Sequence, residues 1–528
     1  MKLPISTGSV LALSFLMFGG LSQLQAQEAD SLDYLIEDAW VFDGTGGDSL
    51  QTDVGVRGER IVFIGDFKDQ IPVDRKIEAR GLYLSPGFID PHTHHTNRLK
   101  SSNARTRAVL RCLTQGVTTI FIGSDGGGPL PLEPMFNTWE EKGIGVNAAA
   151  FVPHSTLRRE IVGYADVAAT PEQLQRMKNL VDMAMQEGAF GISTGLFYTP
   201  AFFASTDEVI ELSKVVAKYG GIYDTHQRDE GSQNVGVRKS VEEVIEIGEK
   251  AGLPVHFSHI KVDGPELWGS SKEIIDIIEA AQARGVQVTA NQYPYLASRT
   301  SLSAALIPSW ARDGGNSAMR RRFKDPETRA KIIQEVKDNI KIRTGKPEGL
   351  YLSIPSDDYL NGKNIAEIAG DWKLSPEETV VRILEDKSPQ VHSFSMSEDD
   401  VLAFMKKPWV MTGSDGGGGH PRAFGTYAKL LSEYALKKHV ISLSRAIQRS
   451  SGQTAQTFKI KDRGFIKEGY YADLVIFDPN TIKDNADYTK AAQFPSGIPY
   501  VFVNGKLSID QGKYTGELAG KALRFKGE

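Results

Sequence analysis

His92 and His94 stand two residues apart in GFIDPHTH, so on a β-strand both imidazoles leave by one face while His95 points to the other. Alone, such a pair is an ordinary feature of a polar strand end. Four further metal-capable residues close comparable apolar runs: Asp125 follows GVTTIFIG, His226 ends GIYDTH, His259 lies at the end of VHFSHI and Asp415 closes WVMTGSD. The chain has 10 histidines, and four stand at these ends, which chance placement explains poorly. Imidazoles and carboxylates together suit a divalent transition metal, and this set is large enough for two ions. His92, His94 and Asp415 would serve one, His226 and His259 the other, with Asp125 placed to bridge. Such a metal polarises a carbonyl and lowers the pKa of a water toward ~7, so that water can attack an amide carbon. Asp415 is the candidate general base that returns the proton to the leaving nitrogen.

These ends must be brought together, and the spacing of the runs says how. Apolar runs at 87–94, 116–123, 145–151, 190–196, 221–226, 255–260, 286–293 and 409–415 alternate with helix-patterned stretches. The starts at 190, 221, 255 and 286 are separated by 31, 34 and 31 residues, the length of a strand plus a crossover helix. Helix starts are marked by Thr170 before Pro171 and by the capping boxes Ser240 to Glu243 and Ser270 to Glu273; stops are marked by Gly188, Gly252 and Gly285. In the stretch after Pro171, Leu174, Met177, Val181 and Ala184 recur at helical spacing and read as core. Eight strand and helix units predict an α/β fold, a (β/α)8 TIM-like barrel over residues 85–450, whose catalytic groups come from several strand ends at one face. The gap between the seventh and eighth runs exceeds 110 residues and contains MRRRFKDPETRAKIIQEVKDNIKIR. It predicts an insertion at about 297–375 over the strand ends, a candidate lid. Residues 27–84 and 451–528 carry short runs of Val and Ile alternating with charges, separated by turns such as Asn504-Gly505. Both chain ends are therefore expected to build one small β-sandwich beside the barrel.

Lys+Arg 61 against Asp+Glu 66 leaves a net charge of -5 with no basic excess, which argues against a nucleic-acid partner. The single cysteine, Cys112, excludes an internal disulfide and a four-cysteine zinc site. Lys2 before the apolar run Val10 to Phe18, with small residues leading to Ala26, has the grammar of a signal peptide over residues 1–26. That run is too short for a membrane span, which needs ~18 or more apolar residues. The expectation is a secreted or periplasmic protein starting near Gln27; the sequence sets no oligomeric state.

PGFIDPHTH, GVTTIFIG, EGAFGISTGL, THQRDEG, SHIKVDG, NQYPY, GSDG and HPRAFGTY, in this order from about residue 32 to 510, resemble the motif series of the N-acyl-D-amino-acid deacylases (D-aminoacylases) of the amidohydrolase superfamily. The resemblance implies a barrel with a small β-domain and a metal-dependent hydrolase that removes the acyl group from a D-amino acid. The metal is expected to be zinc, as one or two ions. By motif position, His92, His94, His226, His259 and Asp415 match metal and base residues, and Lys261, Tyr293 and Arg422 match substrate-contacting residues. A planar guanidinium at Arg422 could hold the substrate's α-carboxylate by two parallel hydrogen bonds. Three departures stand out. Asp125 replaces the usual cysteine, and its harder oxygen admits manganese, iron or cobalt more readily. Arg299 replaces a serine, offering a second cation for an acidic side chain. The loop from Asp415 to His420 is shorter than usual. FGISTGL contains no lysine, unlike the fourth strand of related cyclic amidases. The competing readings are a dipeptidase or cyclic amidase acting on other D-residue amides, and a binding protein that has kept the barrel without catalysis.

Overall fold

A computed structural model describes residues 31–68 and 71–527; the proposed signal peptide lies outside the described residues. The first five strands are β1 (Leu32–Val41), β2 (Leu50–Arg57), β3 (Arg60–Gly65), β4 (Val73–Glu78) and β5 (Tyr83–Pro86). The barrel follows with β6 (Phe88–Asp90), β7 (Val117–Ile122), β8 (Asn147–Ala150), its continuation β9 (Val152–Pro153), β10 (Gly191–Gly195), β11 (Ile222–His226), β12 (Val255–Phe257) and β13 (Val288–Gln292). An excursion carries β14 (Ser298–Ser301), β15 (Leu350–Ser353) and β16 (Gln390–Ser393) before the last barrel strand, β17 (Val410–Thr412). The chain ends with β18 (Leu474–Phe477), β19 (Tyr500–Val503), β20 (Lys506–Asp510) and β21 (Lys513–Tyr514).

All neighbouring barrel strands pair in parallel from β6 to β17. The seam closes where Thr93 bridges Gly416 and His94 N donates to Gly416 O at 2.8 Å. Side chains alternate inward along each strand, so the interior is layered. On β11, Ile222 joins Ile89, Phe121 and Met411 in an apolar floor. Asp224 lies in a polar layer above, accepting from Ser193 Oγ at 2.7 Å and Ser258 Oγ at 2.9 Å. His226 ends the strand.

The crossover helices begin and end by local chemistry. Thr170 and Gln173 form a full capping box for Pro171–Glu187, which buries Met177, Val181 and Ala184 and stops at left-handed Gly188. Two other expected boxes are not formed. Helix Val237–Ala251 starts ahead of Ser240, because Asp229 accepts from Asn234 N and Gly236 N and folds the preceding turn tightly. Ser270 precedes Ser271–Ala283 in helical geometry, where its hydroxyl makes no cap bond.

The two chain ends meet in one sheet, in the order β21-β20-β19-β18-β5-β1-β2-β3 with β4 beside β1. Antiparallel pairing of β5 with β18 joins its halves around Ile36, Val54, Leu84, Leu474, Ile476 and Phe502. Asn504 and Gly505 are both left-handed, as a tight β19–β20 hairpin requires. The excursion expected at about 297–375 runs on to Ser393, because β16 pairs with both β14 and β15. It has its own core, including Leu302, Ile332, Val336, Ile368, Val380 and Val391. The second half of the small domain begins later than 451: helices Leu443–Ser450 and Gly452–Thr457 belong to the barrel, and Phe458 packs beneath Phe121. Among the described residues no helix is long and apolar enough to cross a membrane.

Candidate active site

His92, His94, Asp125, His226, His259 and Asp415 do converge at the C-terminal mouth of the barrel. Their ligand atoms form three overlapping groups within 4.8 Å: His92, His94 and Asp125; His92, His259 and Asp415; and Asp125, His226 and His259. Asp125 belongs to two groups and so stands in the bridging position. Its Oδ1 lies 3.5 Å from His92 Nε2, 3.8 Å from His226 Nδ1 and 3.7 Å from His259 Nε2, while Oδ2 lies 3.5 Å from His94 Nε2. Asp415 is not confined to the His92 and His94 side, because its Oδ2 also reaches within 4.0 Å of His259 Nε2. Asp125, His259 and Asp415 all have left-handed backbones, with φ of 56, 37 and 47°. Such conformations are costly for residues with a Cβ and cluster where function fixes a side chain. Close contact of Gly195 with the Asp125 carbonyl supports this arrangement, since a Cβ at Gly195 would lie 2.5 Å from that oxygen.

The donor set fits a divalent ion. Both ring nitrogens of buried His92 and Oδ1 of Asp125 lack hydrogen-bond partners. His226 Nδ1 and His259 Nε2 face each other at 3.0 Å, which brings two ring nitrogens to the same point beside Asp125. Burial and Lys261 push the His259 pKa down, but Glu230, Asp415 and Asp125 outweigh them and lift it to about 9, so this ring sits in a negative field.

Glu230, which sequence reasoning passed over, orients the site from behind. Its Oε1 accepts from Lys261 Nζ at 2.6 Å and lies 3.1 Å from His259 Nδ1. Lys261 Nζ also stands 2.7 Å from His259 Nδ1, so the Glu230–Lys261 pair engages Nδ1 and Nε2 is the nitrogen that faces Asp125 and Asp415. Lys261 is thus a buried partner of Glu230 as well as part of the cavity wall. Arg422 differs more from expectation. Nε donates to the Asp415 carbonyl at 2.9 Å and Nη2 pairs with Asp415 Oδ2 at 2.5 Å, so a two-bond grip on substrate is already taken. Nη1 remains buried without a partner, as do the Tyr293 hydroxyl and Arg299 Nε. The Arg422 guanidinium lies 4.6 Å above the Tyr293 ring. Burial, and then the neighbouring Arg422, lower the Arg299 pKa to about 10, leaving it a cation near neutrality.

A narrow cavity runs from His226, His259 and Asp415 past Lys261, Tyr293 and Arg299, and a second, of about 360 Å³, reaches Asp125 from His94, Arg299 and Arg422. Tyr198 lines both; it lies 4.7 Å from His226, ring to ring, and accepts from Thr300 Oγ1 at 3.1 Å. Arg343, from excursion helix Pro326–Thr344, also lines the first, donating to Ser393, Gln233 and Ser298. Tyr198 had a signal in the sequence, since it follows the fourth apolar run directly. Arg343 had none, because it closes a stretch of charges that reads as a solvated helix.

The Amidohydrolase family model matches residues 83–508. The D-aminoacylase of Alcaligenes xylosoxydans xylosoxydans is 33% identical, covering 95% of this chain and 99% of its own. The chain belongs to the amidohydrolase family, in its D-aminoacylase branch. A second relative of this amidohydrolase, the N-acyl-D-aspartate deacylase of the same organism, is 32% identical over 93% of this chain and 95% of its own. Among solved structures, the N-acyl-D-glutamate deacylase of Bordetella bronchiseptica, complexed with zinc and a phosphonate mimic of the tetrahedral intermediate, superposes with a TM-score of 0.80. It is 28% identical, covering 94% of this chain and 100% of its own. The barrel and small β-domain of this amidohydrolase are those of its branch.

Proposed function

We propose that this amidohydrolase cleaves the amide bond of N-acyl-D-amino acids with the aid of a divalent metal, releasing a carboxylate and a D-amino acid. The observation that carries the reading is the meeting, in adjoining cavities, of the six-residue donor cluster with three buried unpartnered donors: Arg422 Nη1, Arg299 Nε and the Tyr293 hydroxyl. An ion held by His92, His94, Asp125, His226, His259 and Asp415 supplies Lewis acidity toward the amide carbonyl and toward water. Zinc is the proposed metal, since the Bordetella relative is complexed with it.

The protein's own groups do the rest. Arg422 pins Asp415 Oδ2, which leaves Oδ1 facing His94 Nε2 at 3.0 Å and His92 Nε2 at 3.7 Å. From there Asp415 takes a proton from the attacking water and returns it to the leaving nitrogen. The α-carboxylate is held by Arg422 Nη1 and the Tyr293 hydroxyl, with Lys261 behind them. Burial drives the Tyr293 pKa far above the phenol range, so it stays a neutral donor. With the carboxylate and the carbonyl both fixed, exchange of side chain and hydrogen at Cα drives the side chain into the wall, which selects the D enantiomer. Arg299 stands ready for an acidic side chain, in keeping with the aspartate and glutamate deacylases among the relatives.

A dipeptidase or cyclic amidase is the second reading. A cyclic diamide carries no α-carboxylate and would leave Arg422 Nη1 unmatched. The deciding experiment is hydrolysis of N-acetyl-D-amino acids, their L-enantiomers and a cyclic diamide by the zinc-loaded protein, before and after chelation. Hydrolysis confined to the D series and lost on chelation is expected; preference for the cyclic compound or for L substrates overturns the reading. Export to the periplasm or medium is also proposed, from Lys2, the Val10 to Phe18 run and the small residues before Gln27. A mature protein whose first residue lies near Gln27 supports it, and an intact Met1 in the cytoplasm refutes it.

A further inference from the structure

Arg312 is 7% exposed, and its Nε is buried without an acceptor. Among the described residues no carboxylate oxygen comes within 4.0 Å of its guanidinium. Among the other buried arginines, Arg158 pairs with Glu208 and donates to Pro200 O, Arg463 pairs with Asp473, and Arg449, whose Nε is also unpartnered, is held by two backbone carbonyls, Met405 O and Met411 O. A buried cation with no counter-charge is costly to fold around, and proteins rarely keep one that nothing matches.

The residue lines a cavity of about 120 Å³ between the barrel and the excursion, together with Phe197, Gln233, Asn234, Trp310 and Asn339. Glu335, the one carboxylate on its wall, accepts from Trp310 Nε1 at 3.0 Å and forms no ion pair with Arg312, although it keeps its negative charge. Phe197 and Gln233 also line the catalytic cavity, so the two spaces adjoin at these side chains. Their position around the barrel gives the direction. Phe197 follows β10, the fourth strand, and Arg422 follows β17, the eighth, so they lie on opposite sides of the mouth. If Arg422 holds the amino-acid half of the substrate, the acyl half extends toward Phe197 and the cavity beyond it.

We propose that this cavity receives the far end of the acyl arm and that Arg312 binds a carboxylate carried there, which makes half-amides of dicarboxylic acids a favoured substrate class. The inference rests on the deacylase reading and deepens it. The test uses the full zinc-loaded chain and its Arg312→Met and Arg312→Lys variants on the N-acetyl, N-succinyl, N-glutaryl and N-adipoyl derivatives of one D-amino acid. In the wild type, kcat/KM for at least one diacid derivative should exceed that of the N-acetyl compound tenfold or more. The ratio should fall to near one in Arg312→Met and recover partly in Arg312→Lys. A ratio that is the same in wild type and Arg312→Met, or below tenfold at every chain length in the wild type, overturns the proposal. Free glutarate should also raise the thermal midpoint of the wild type more than that of Arg312→Met, and equal shifts overturn it as well. Without ligand, Arg312→Met should melt at or above the wild type, since it buries no unmatched charge; a markedly lower midpoint means that Arg312 has a structural partner and defeats the inference. Failure of the deacylase reading would look different: the N-acetyl compound would resist hydrolysis, while the glutarate comparison would still decide the fate of Arg312.

Discussion

The Glu230→Gln substitution keeps the shape of a side chain and removes its charge from a pocket that holds Lys261 Nζ at 2.6 Å and His259 Nδ1 at 3.1 Å. At an effective dielectric of about 20, unit charges at the Lys261 separation attract by ~6 kcal/mol. Desolvation of two buried ions offsets much of that, and removing one partner of such a pair costs about 3 to 5 kcal/mol. The glutamine oxygen still accepts a hydrogen bond worth about 1 kcal/mol, so the expected loss of stability is about 2 to 4 kcal/mol. Most of the loss is the stranded Lys261 cation. Combining Glu230→Gln with Lys261→Met should therefore return much of it, although two residues have then been changed. The same substitution removes the carboxylate behind His259, and loss of such an outer partner lowers metal affinity by about 10 to 100-fold. Urea titration of metal-stripped protein reads the first effect, and competition for zinc with a chromophoric chelator reads the second. Zinc affinity within about twofold of wild type, or a double variant no more stable than the single one, would refute the reasoning.

Asp125→Ala should lower metal content together with rate, and Asp125→Cys should keep zinc better than the alanine variant; unchanged stoichiometry by elemental analysis in Asp125→Ala would reduce Asp125 to a turn residue. Arg422→Lys should slow every substrate, since it releases Asp415, but kcat/KM for a free acid should fall by a further factor of roughly 10 to 100, the value of one charge-assisted hydrogen bond, relative to the same compound with its α-carboxylate blocked as an amide. Equal losses would mean that Arg422 serves Asp415 alone. Arg299→Ser should cut kcat/KM for N-acetyl-D-glutamate relative to N-acetyl-D-leucine by roughly tenfold or more, and an unchanged ratio of the two removes Arg299 from side-chain recognition. Glu208, buried against Arg158 and 3.1 Å from His154, is pushed up by burial and pulled down further by these partners, to a net value below the ordinary range. Its contribution is present above the unfolded pKa of about 4.3 and is lost as pH falls through the lower folded value. Glu208→Gln should thus cost about 3 to 5 kcal/mol at neutral pH, and less below about pH 4; a gap that does not change with pH would contradict this assignment.

The barrel was legible because its strands share one local grammar, a glycine, an apolar run and a polar residue at the exit, and His226 and His259 stand at that exit. Arg422 was legible as a site residue, but its main partner was not. Whether a guanidinium faces a substrate or the neighbouring Asp415 depends on how the loop folds back, and the spacing of seven residues allows either. Glu230 was hidden for a related reason. It lies four residues after His226 in a turn with no helical or strand period, beside Asp229, where charges ordinarily face water. Arg312 and Arg343 come from the excursion, whose charged composition reads as surface. Only pairing of β14, β15 and β16 turns those side chains toward the barrel. Likewise, Ser240 has the residue types of a cap, but Asp229 claims the turn and the Ser240 hydroxyl accepts from Asp229 N.

The pairing of β5 with β18 also sets the order in which this chain can become a protein. Pro86 finds its partner Leu474 roughly 390 residues later, so at about 5 to 20 residues per second the first half of the small sheet waits some 20 to 80 s for its second half to be synthesised. Throughout that interval β5 presents an unpaired edge, the kind of surface that seeks strands of other chains. The final segment adds a second delay, because Gly520 and Ala522 bridge to Ile144 and Ala148 at the base of the barrel. A chain truncated before that segment would have made every group that performs chemistry and every strand, and would still lack the bridges to Ile144 and Ala148. Refolding of full-length protein should accordingly be slow and concentration-sensitive, as expected where distant segments must meet before the sheet is complete.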